Sequence, residues 1–291
     1  MSLCSSPVSE KAKERAKLDI QGHRGARGLL PENSVRGFIK AVELGVNTLE
    51  LDLCITADNK VFVSHEPYIS SEICLDSNAN MIPEAIASQL NTYRMTYEEV
   101  KNYDCGTLMN KNFPSQGKVR TIKPLLSDVF QRVENYVKTN KIPLPNYNIE
   151  IKSGESTDGI YHPSPAQFSK LVYKEIDGVI NWERVTLQSF DFRVLKYIRK
   201  NYPKIRLAQL IENNLPWKTN VDSLGFKPDI YSCHFPILTQ KTIKEIQNDS
   251  IQVIPWTVND TEDMLRLTEW GVDGIITDYP NKALEIYLCC S

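Results

Sequence analysis

From Thr48 to Ile55 apolar and polar side chains alternate, with Leu49 and Leu51 on one side and Glu50 and Asp52 on the other, the period-two signature of a strand. Leu49-Glu50-Leu51-Asp52 thus carries two carboxylates on one face, roughly 7 Å apart along the strand. Asn148 to Lys152 repeats the pattern, with Ile149 and Ile151 opposite Glu150 and Lys152. Short apolar runs bounded by turn residues predict further strands at 18–21, 61–65, 185–189, 205–211, 230–233, 253–258 and 274–277. Helical spacing falls between them. One helix starts at Pro31-Glu32-Asn33, with Asn33 or Ser34 as cap, a stripe of Val35, Phe38, Ile39 and Val42, and Gly45 as the stop. Another opens at Pro124 and buries Leu125, Leu126, Val129, Phe130, Val133 and Val137; others are predicted at 165–177, 192–201, 239–248 and 262–270.

Residues 67–121 break this rhythm. They are polar and turn-rich, with one short helix signalled by the capping-box pattern Thr96-Tyr97-Glu98-Glu99, and they read as an insertion over one end of the fold. Lys111, Lys118, Arg120 and Lys123 at its end either face an anionic substrate or are merely solvated. Strands alternating with helices imply a parallel sheet, and about eight of them imply a closed TIM (β/α)8 barrel. The expected organisation is a leader over 1–17 and one barrel domain over 18–291 containing the insertion. In such barrels the site lies at the carboxyl ends of the strands, where His23, Glu50, Asp52, His65, Glu150, Lys152, Gln188, Trp256 and Asp278 would converge.

Composition narrows the partners. With 291 residues, 41% hydrophobic, 24% charged and a formal charge of −2, the chain has material for a large core and no basic excess pointing to nucleic acid. No run approaches the ~18 apolar residues of a membrane helix. Seven cysteines without a CxxC pair argue against a zinc site and for mostly free thiols. Cys4-Ser5-Ser6 resembles the start of a mature bacterial lipoprotein, which would make the protein periplasmic or lipid-anchored through Cys4; the plain alternative is a disordered leader on a cytoplasmic protein. Nothing sets the oligomeric state.

Two of only four histidines, His23 and His65, fall at strand ends beside polar or glycine-rich turns. Charged strand faces inside a barrel need partners, because an uncompensated buried charge is very costly. A divalent metal held by Glu50, Asp52 and Glu150 supplies one, leaving Arg24 and Lys152 to balance a phosphate rather than the carboxylates.

The chain resembles the glycerophosphodiester phosphodiesterases over nearly its whole length. The resemblance is carried by His23-Arg24-Gly25, Pro31-Glu32-Asn33-Ser34, Leu49-Glu50-Leu51-Asp52, the strand ending at His65, Ile149-Glu150-Ile151-Lys152, Gln188-Ser189-Phe190, Trp256-Thr257-Val258-Asn259 and Gly271 through Pro280. It implies a TIM-type barrel with an insertion after the third strand, Ca²⁺ or Mg²⁺ as cofactor, and hydrolysis of a small-molecule glycerophosphodiester to an alcohol and glycerol 3-phosphate. By the same resemblance Glu50, Asp52 and Glu150 are the metal ligands, His23 and His65 the general acid and base, and Arg24 and Lys152 the phosphate contacts. Gln188 and Trp256 are read as substrate contacts, Trp256 packing on glycerol or a choline-like cation where it is not simply core. Direct attack by water and attack by the neighbouring glycerol hydroxyl through a cyclic phosphate both fit this pattern. Glu66 departs from it, since aspartate is more usual after the second histidine. Two other readings compete. A phospholipase of the sphingomyelinase D or phosphoinositide-specific kind would need an exposed apolar rim that the polar insertion does not suggest, and a noncatalytic phosphodiester-binding barrel is disfavoured by the presence of both histidines.

Overall fold

The computed structural model describes residues 18–288. The lipoprotein-like Cys4, and with it the whole 1–17 leader, lies outside the described residues. Nine strands form one sheet: β1 (Asp19–Gly22), β2 (Thr48–Ile55), β3 (Val61–Val63), β4 (Asn146–Ile151), β5 (Val185–Ser189), β6 (Arg206–Ile211), β7 (Ile230–Cys233), β8 (Gln252–Val253) and β9 (Gly274–Thr277). Eight of them are parallel neighbours in the order β8-β7-β6-β5-β4-β2-β1-β9. Backbone hydrogen bonds from Asp273 N to Val253 O, Ile276 N to Pro255 O and Val258 N to Ile276 O, each 2.9 Å, join the two ends. The sheet is a TIM-type barrel.

β3 is the exception. It runs antiparallel to the far end of β2, with Val63 opposite Leu53 and Val61 opposite Ile55, so the third strand in sequence is a hairpin arm and not a barrel stave. Its predicted extension through His65 stops at Val63. The return of the hairpin nevertheless brings the chain back beside the carboxyl half of β2, where Ser64 N donates to Asp52 O at 3.0 Å. The insertion follows and has its own small core around Phe62, Ile69, Tyr97 and Val100. Cys54 and Cys233 are free and buried, while Cys4, Cys289 and Cys290 lie outside the described residues; within the insertion Cys74 and Cys105 form a disulfide that the expectation of mostly free thiols did not single out. Their pairing is tertiary, so spacing could not have shown it.

Helices of eight or more residues follow the staves: α1 (Val35–Leu44), α2 (Leu126–Asn140), α3 (Pro165–Ile176), α4 (Phe192–Asn201), α5 (Trp217–Leu224), α6 (Gln240–Asn248), α7 (Thr261–Trp270) and α8 (Pro280–Leu288). α5 was not expected: Trp217-Lys218-Thr219-Asn220-Val221-Asp222-Ser223-Leu224 has too few apolar positions to show a stripe, and tertiary packing of Trp217 and Leu224 decides it. α1 is capped by Ser34, whose hydroxyl accepts from Gly37 N, and stopped by Gly45 in the left-handed region.

Alternation along the staves sorts the side chains into two layers. Leu49, Leu51, Leu53, Ile149, Ile151, Leu187 and Leu207 join the core between barrel and helices. Inside the barrel, Ala208, Ile230, Ile254 and Ile276 form a separate apolar cluster on one half. The other half, from β1, β2, β4 and β5, holds Gln21, Glu50, Asn148, Glu150 and Gln188, all buried. A barrel with one polar and one apolar inner wall is what positions the site.

Candidate active site

The register sets the centre. Asp52 lies opposite Glu150 on β4, and Glu150 opposite Gln188 on β5. Glu50, Asp52 and Glu150 each offer a carboxylate oxygen within 4.8 Å of the others, and all three are buried. Each is held by a second set of groups. Glu50 accepts from Arg24 N at 2.9 Å and from Gln188 Nε2 at 2.8 Å. Asp52 accepts from Asn33 Nδ2 at 2.8 Å. Glu150 pairs with Lys152 Nζ at 3.0 Å. Asn148 in turn donates to Gln188 Oε1 at 3.0 Å and Gln21 Oε1 at 2.8 Å, so the amide of Gln188 has a fixed orientation.

Local backbone geometry makes these contacts possible. Arg24 and Asn33 both take the left-handed conformation, with φ of 50° and 51°, a costly choice for a residue with a Cβ. Gly25 follows at φ 88°, and a Cβ there would stand 2.7 Å from Gly37 C. The loop therefore closes tightly on α1 and turns the Arg24 amide toward Glu50.

Two imidazoles flank the carboxylates. His23 Nδ1 lies 2.7 Å from Asp278 Oδ1, and Asp278 Oδ2 accepts from Asn259 Nδ2 at 2.8 Å. His65 Nδ1 lies 2.6 Å from Glu66 Oε1, so the glutamate after the second histidine is that imidazole's partner. Both histidines line one cavity of about 180 Å³ with the three carboxylates, Arg24, Arg27, Lys152, Gln188, Phe190, Leu210, Trp256, Thr257 and Ile276. Polar groups form one wall, and Phe190, Leu210, Trp256 and Ile276 the other. Trp256 is half-buried, donates from Nε1 to Ser232 O at 3.0 Å and meets Phe190 edge to face.

Electrostatics divides the carboxyl groups. Burial, reinforced by the charge of Asp52, pushes Glu50 well above the usual carboxylate range. Burial also acts to raise Asp52, but Arg24, His65 and Lys152 overcome it and hold that group far below. Glu150 is raised by burial against the pull of Lys152. Around His23 the balance differs: burial lowers the imidazole although Asp278 opposes it, and the cationic surroundings bring Asp278 down to about 2 despite its own burial. An ionised Asp278 accepts only, so Nδ1 of His23 carries the proton and Nε2 is left for exchange.

The residues singled out in the sequence line one cavity, except Asp278, which reaches it through His23, and they differ in detail. Arg24 and Lys152, expected to be left for a phosphate, are engaged with carboxylates: Arg24 with Glu32 at 2.8 Å and Asp52 at 3.4 Å, Lys152 with Glu150 and, at 3.9 Å, Asp52. Three buried carboxylates require that compensation. Gln188, expected at the substrate, has both ends of its amide tied to Glu50 and Asn148. Among the basic residues of 111–123, Lys123 is buried near the site whereas Lys111, Lys118 and Arg120 are exposed. Arg27, with Nε 2.7 Å from Glu32 Oε2, was missed because its role depends on the loop closing on Glu32.

The sequence matches the profile of the Glycerophosphoryl diester phosphodiesterase family over residues 23–282. The chain belongs to that family. Among its relatives is a protein of Caldanaerobacter subterraneus subsp. tengcongensis named glycerophosphodiester phosphodiesterase, 29% identical over 272 residues that cover 92% of this chain and 96% of the relative. A crystal structure from Silicibacter pomeroyi matches with a TM-score of 0.83 at 26% identity over 94% of both chains. An Oleispira antarctica phosphodiesterase, solved with its product sn-glycerol-3-phosphate, shares the fold at a TM-score of 0.73 and 18% identity, over 94% of this chain and 98% of that one. The family match begins at His23 and includes every residue of the cavity.

An all-oxygen, buried carboxylate trio fits a hard divalent cation. Burial, with the negative charge of Asp52 added to it, drives Glu50 toward protonation, a conflict that such a cation would relieve.

Proposed function

We propose that this family member hydrolyses small glycerophosphodiesters to sn-glycerol 3-phosphate and a free alcohol, with a divalent cation, Ca²⁺ or Mg²⁺, held by Glu50, Asp52 and Glu150. The observation that carries the reading is the convergence of that trio with two carboxylate-tethered imidazoles in one cavity. When bound, the cation supplies Lewis-acid polarisation of a phosphoryl oxygen and offsets charge gathering on phosphorus.

The chain's own residues do the rest. Each imidazole engages its carboxylate through Nδ1, which fixes ring orientation and leaves Nε2 to exchange a proton. One histidine takes the proton of the attacking oxygen and the other returns one to the leaving alkoxide. Lys152 and Arg24, which line the cavity beside the carboxylates, are positive groups placed to stabilise the phosphoryl oxygens. The apolar wall of Phe190 and Trp256 gives the glycerol or alcohol carbons a surface to pack on. His23→Ala and His65→Ala are each expected to cut turnover of glycerophosphocholine by at least ~100-fold, the lower end of a general acid–base contribution. Release of glycerol 3-phosphate measures this, and near-normal turnover in either variant removes that histidine from the reaction.

A further inference from the structure

Lys123 is a charged side chain that the reaction as described leaves unused. It is 6% exposed, lies outside the lining of the catalytic cavity, and makes its side-chain hydrogen bond to Ser64 Oγ at 2.7 Å. Among the described residues no carboxylate forms an ion pair with it. A buried ammonium held in this way is costly, so its presence calls for a function. Burial draws Lys123 below the ordinary lysine range, and the charges of Glu32 and Glu66 oppose that.

The hydrogen-bond directions supply the function. An ammonium only donates, so the Ser64 hydroxyl that meets it must accept there and turn its own proton elsewhere. That proton goes to the main-chain oxygen of Glu66, 2.7 Å away. His65 sits between the two ends of this relay, and Glu66 also provides the carboxylate on its Nδ1. Lys123 is itself fixed from outside, since Tyr97 donates its hydroxyl to Lys123 O at 3.1 Å and Val63 N donates to Pro124 O at 2.8 Å. The segment closing the insertion is thereby strapped to the hairpin.

We propose that Lys123 is a positioning residue for His65: by committing the Ser64 hydroxyl to the Glu66 carbonyl it locks the turn that presents the imidazole and its partner. The idea rests on His65 being the general acid or base, and the test separates the two. Lys123→Met, which keeps the length and removes donor and charge, should lower kcat on glycerophosphocholine ~10-fold with KM within about twofold, the signature of a misplaced catalytic group. The melting temperature should stay level or rise, because a buried charge has been removed. In a His65→Ala background the same substitution should change kcat less than about twofold, as expected for two residues acting through one another. Ser64→Ala, which keeps the lysine, should reproduce the loss and serves in its place if Lys123→Met does not fold. Full multiplication of the two effects overturns the proposal while leaving His65 catalytic. So does wild-type kcat in both Lys123→Met and Ser64→Ala. Normal turnover in His65→Ala overturns the proposal and the role of His65 together.

Discussion

At the scale of single residues, the site is built from carboxylates that differ in how far neighbouring cations offset their burial. Glu32 is brought down to about 2 because Arg24 and Arg27, with His65 and Lys123 behind them, outweigh its burial. Asp278 reaches the same value through His23 and Arg27. Asp52 is held down chiefly by Arg24, and Glu50 is left high. The Asp278 shift predicts a pH dependence of stability. Its proton affinity is lower in the folded state than the ordinary 3.8, so the stabilisation is complete above about pH 4 and disappears as pH falls toward 2. The size is ~2 kcal/mol. Chemical denaturation of wild type and Asp278→Asn at pH 7 and pH 3 should show the variant losing less stability on acidification; equal losses would assign the acid sensitivity to other groups. The sequence made His23, the carboxylate trio and His65 legible because strand alternation and glycine-rich turns announce them. The partners Asn33, Arg27 and Lys123 were not readable in the same way: each acts through a side-chain contact between segments distant in sequence.

At the scale of elements, the legible parts are those whose periodicity is driven by burial. α1, α4, β2, β5 and β9 fall where apolar spacing put them, because each buries a stripe or a face against the same core. β3 and α5 show the limits. β3 carries strand-like alternation, yet its direction depends on the Asp58-Asn59 turn, with Asn59 at φ 58°, folding it back on β2. A parallel stave would need a crossover of a dozen or more residues there, and only five separate Ile55 from Val61. Ser34 ends the loop that carries Arg24 and Asn33, and its cap bond to Gly37 N at 3.0 Å fixes where α1 starts. Ser34→Ala should cost ~1 kcal/mol of stability, read from the urea midpoint. An unchanged midpoint would mean that the Arg24–Asn33 loop, and not the cap, sets the start of the helix.

At the scale of the whole molecule, the barrel solves one problem: it gathers the carboxylates of β2 and β4 and the amides of β1, β4 and β5 on one inner wall while the opposite wall stays apolar. The hairpin and insertion close over the β2 side and deliver His65, and the closing stave β9 delivers Asp278 to His23. The decisive measurement is glycerol 3-phosphate release from glycerophosphocholine by metal-stripped protein, before and after Ca²⁺ or Mg²⁺ is restored. The account predicts loss of turnover on stripping, recovery with one or both ions, and no recovery in Glu50→Gln. Full turnover by the stripped protein, or none under either ion, would contradict it.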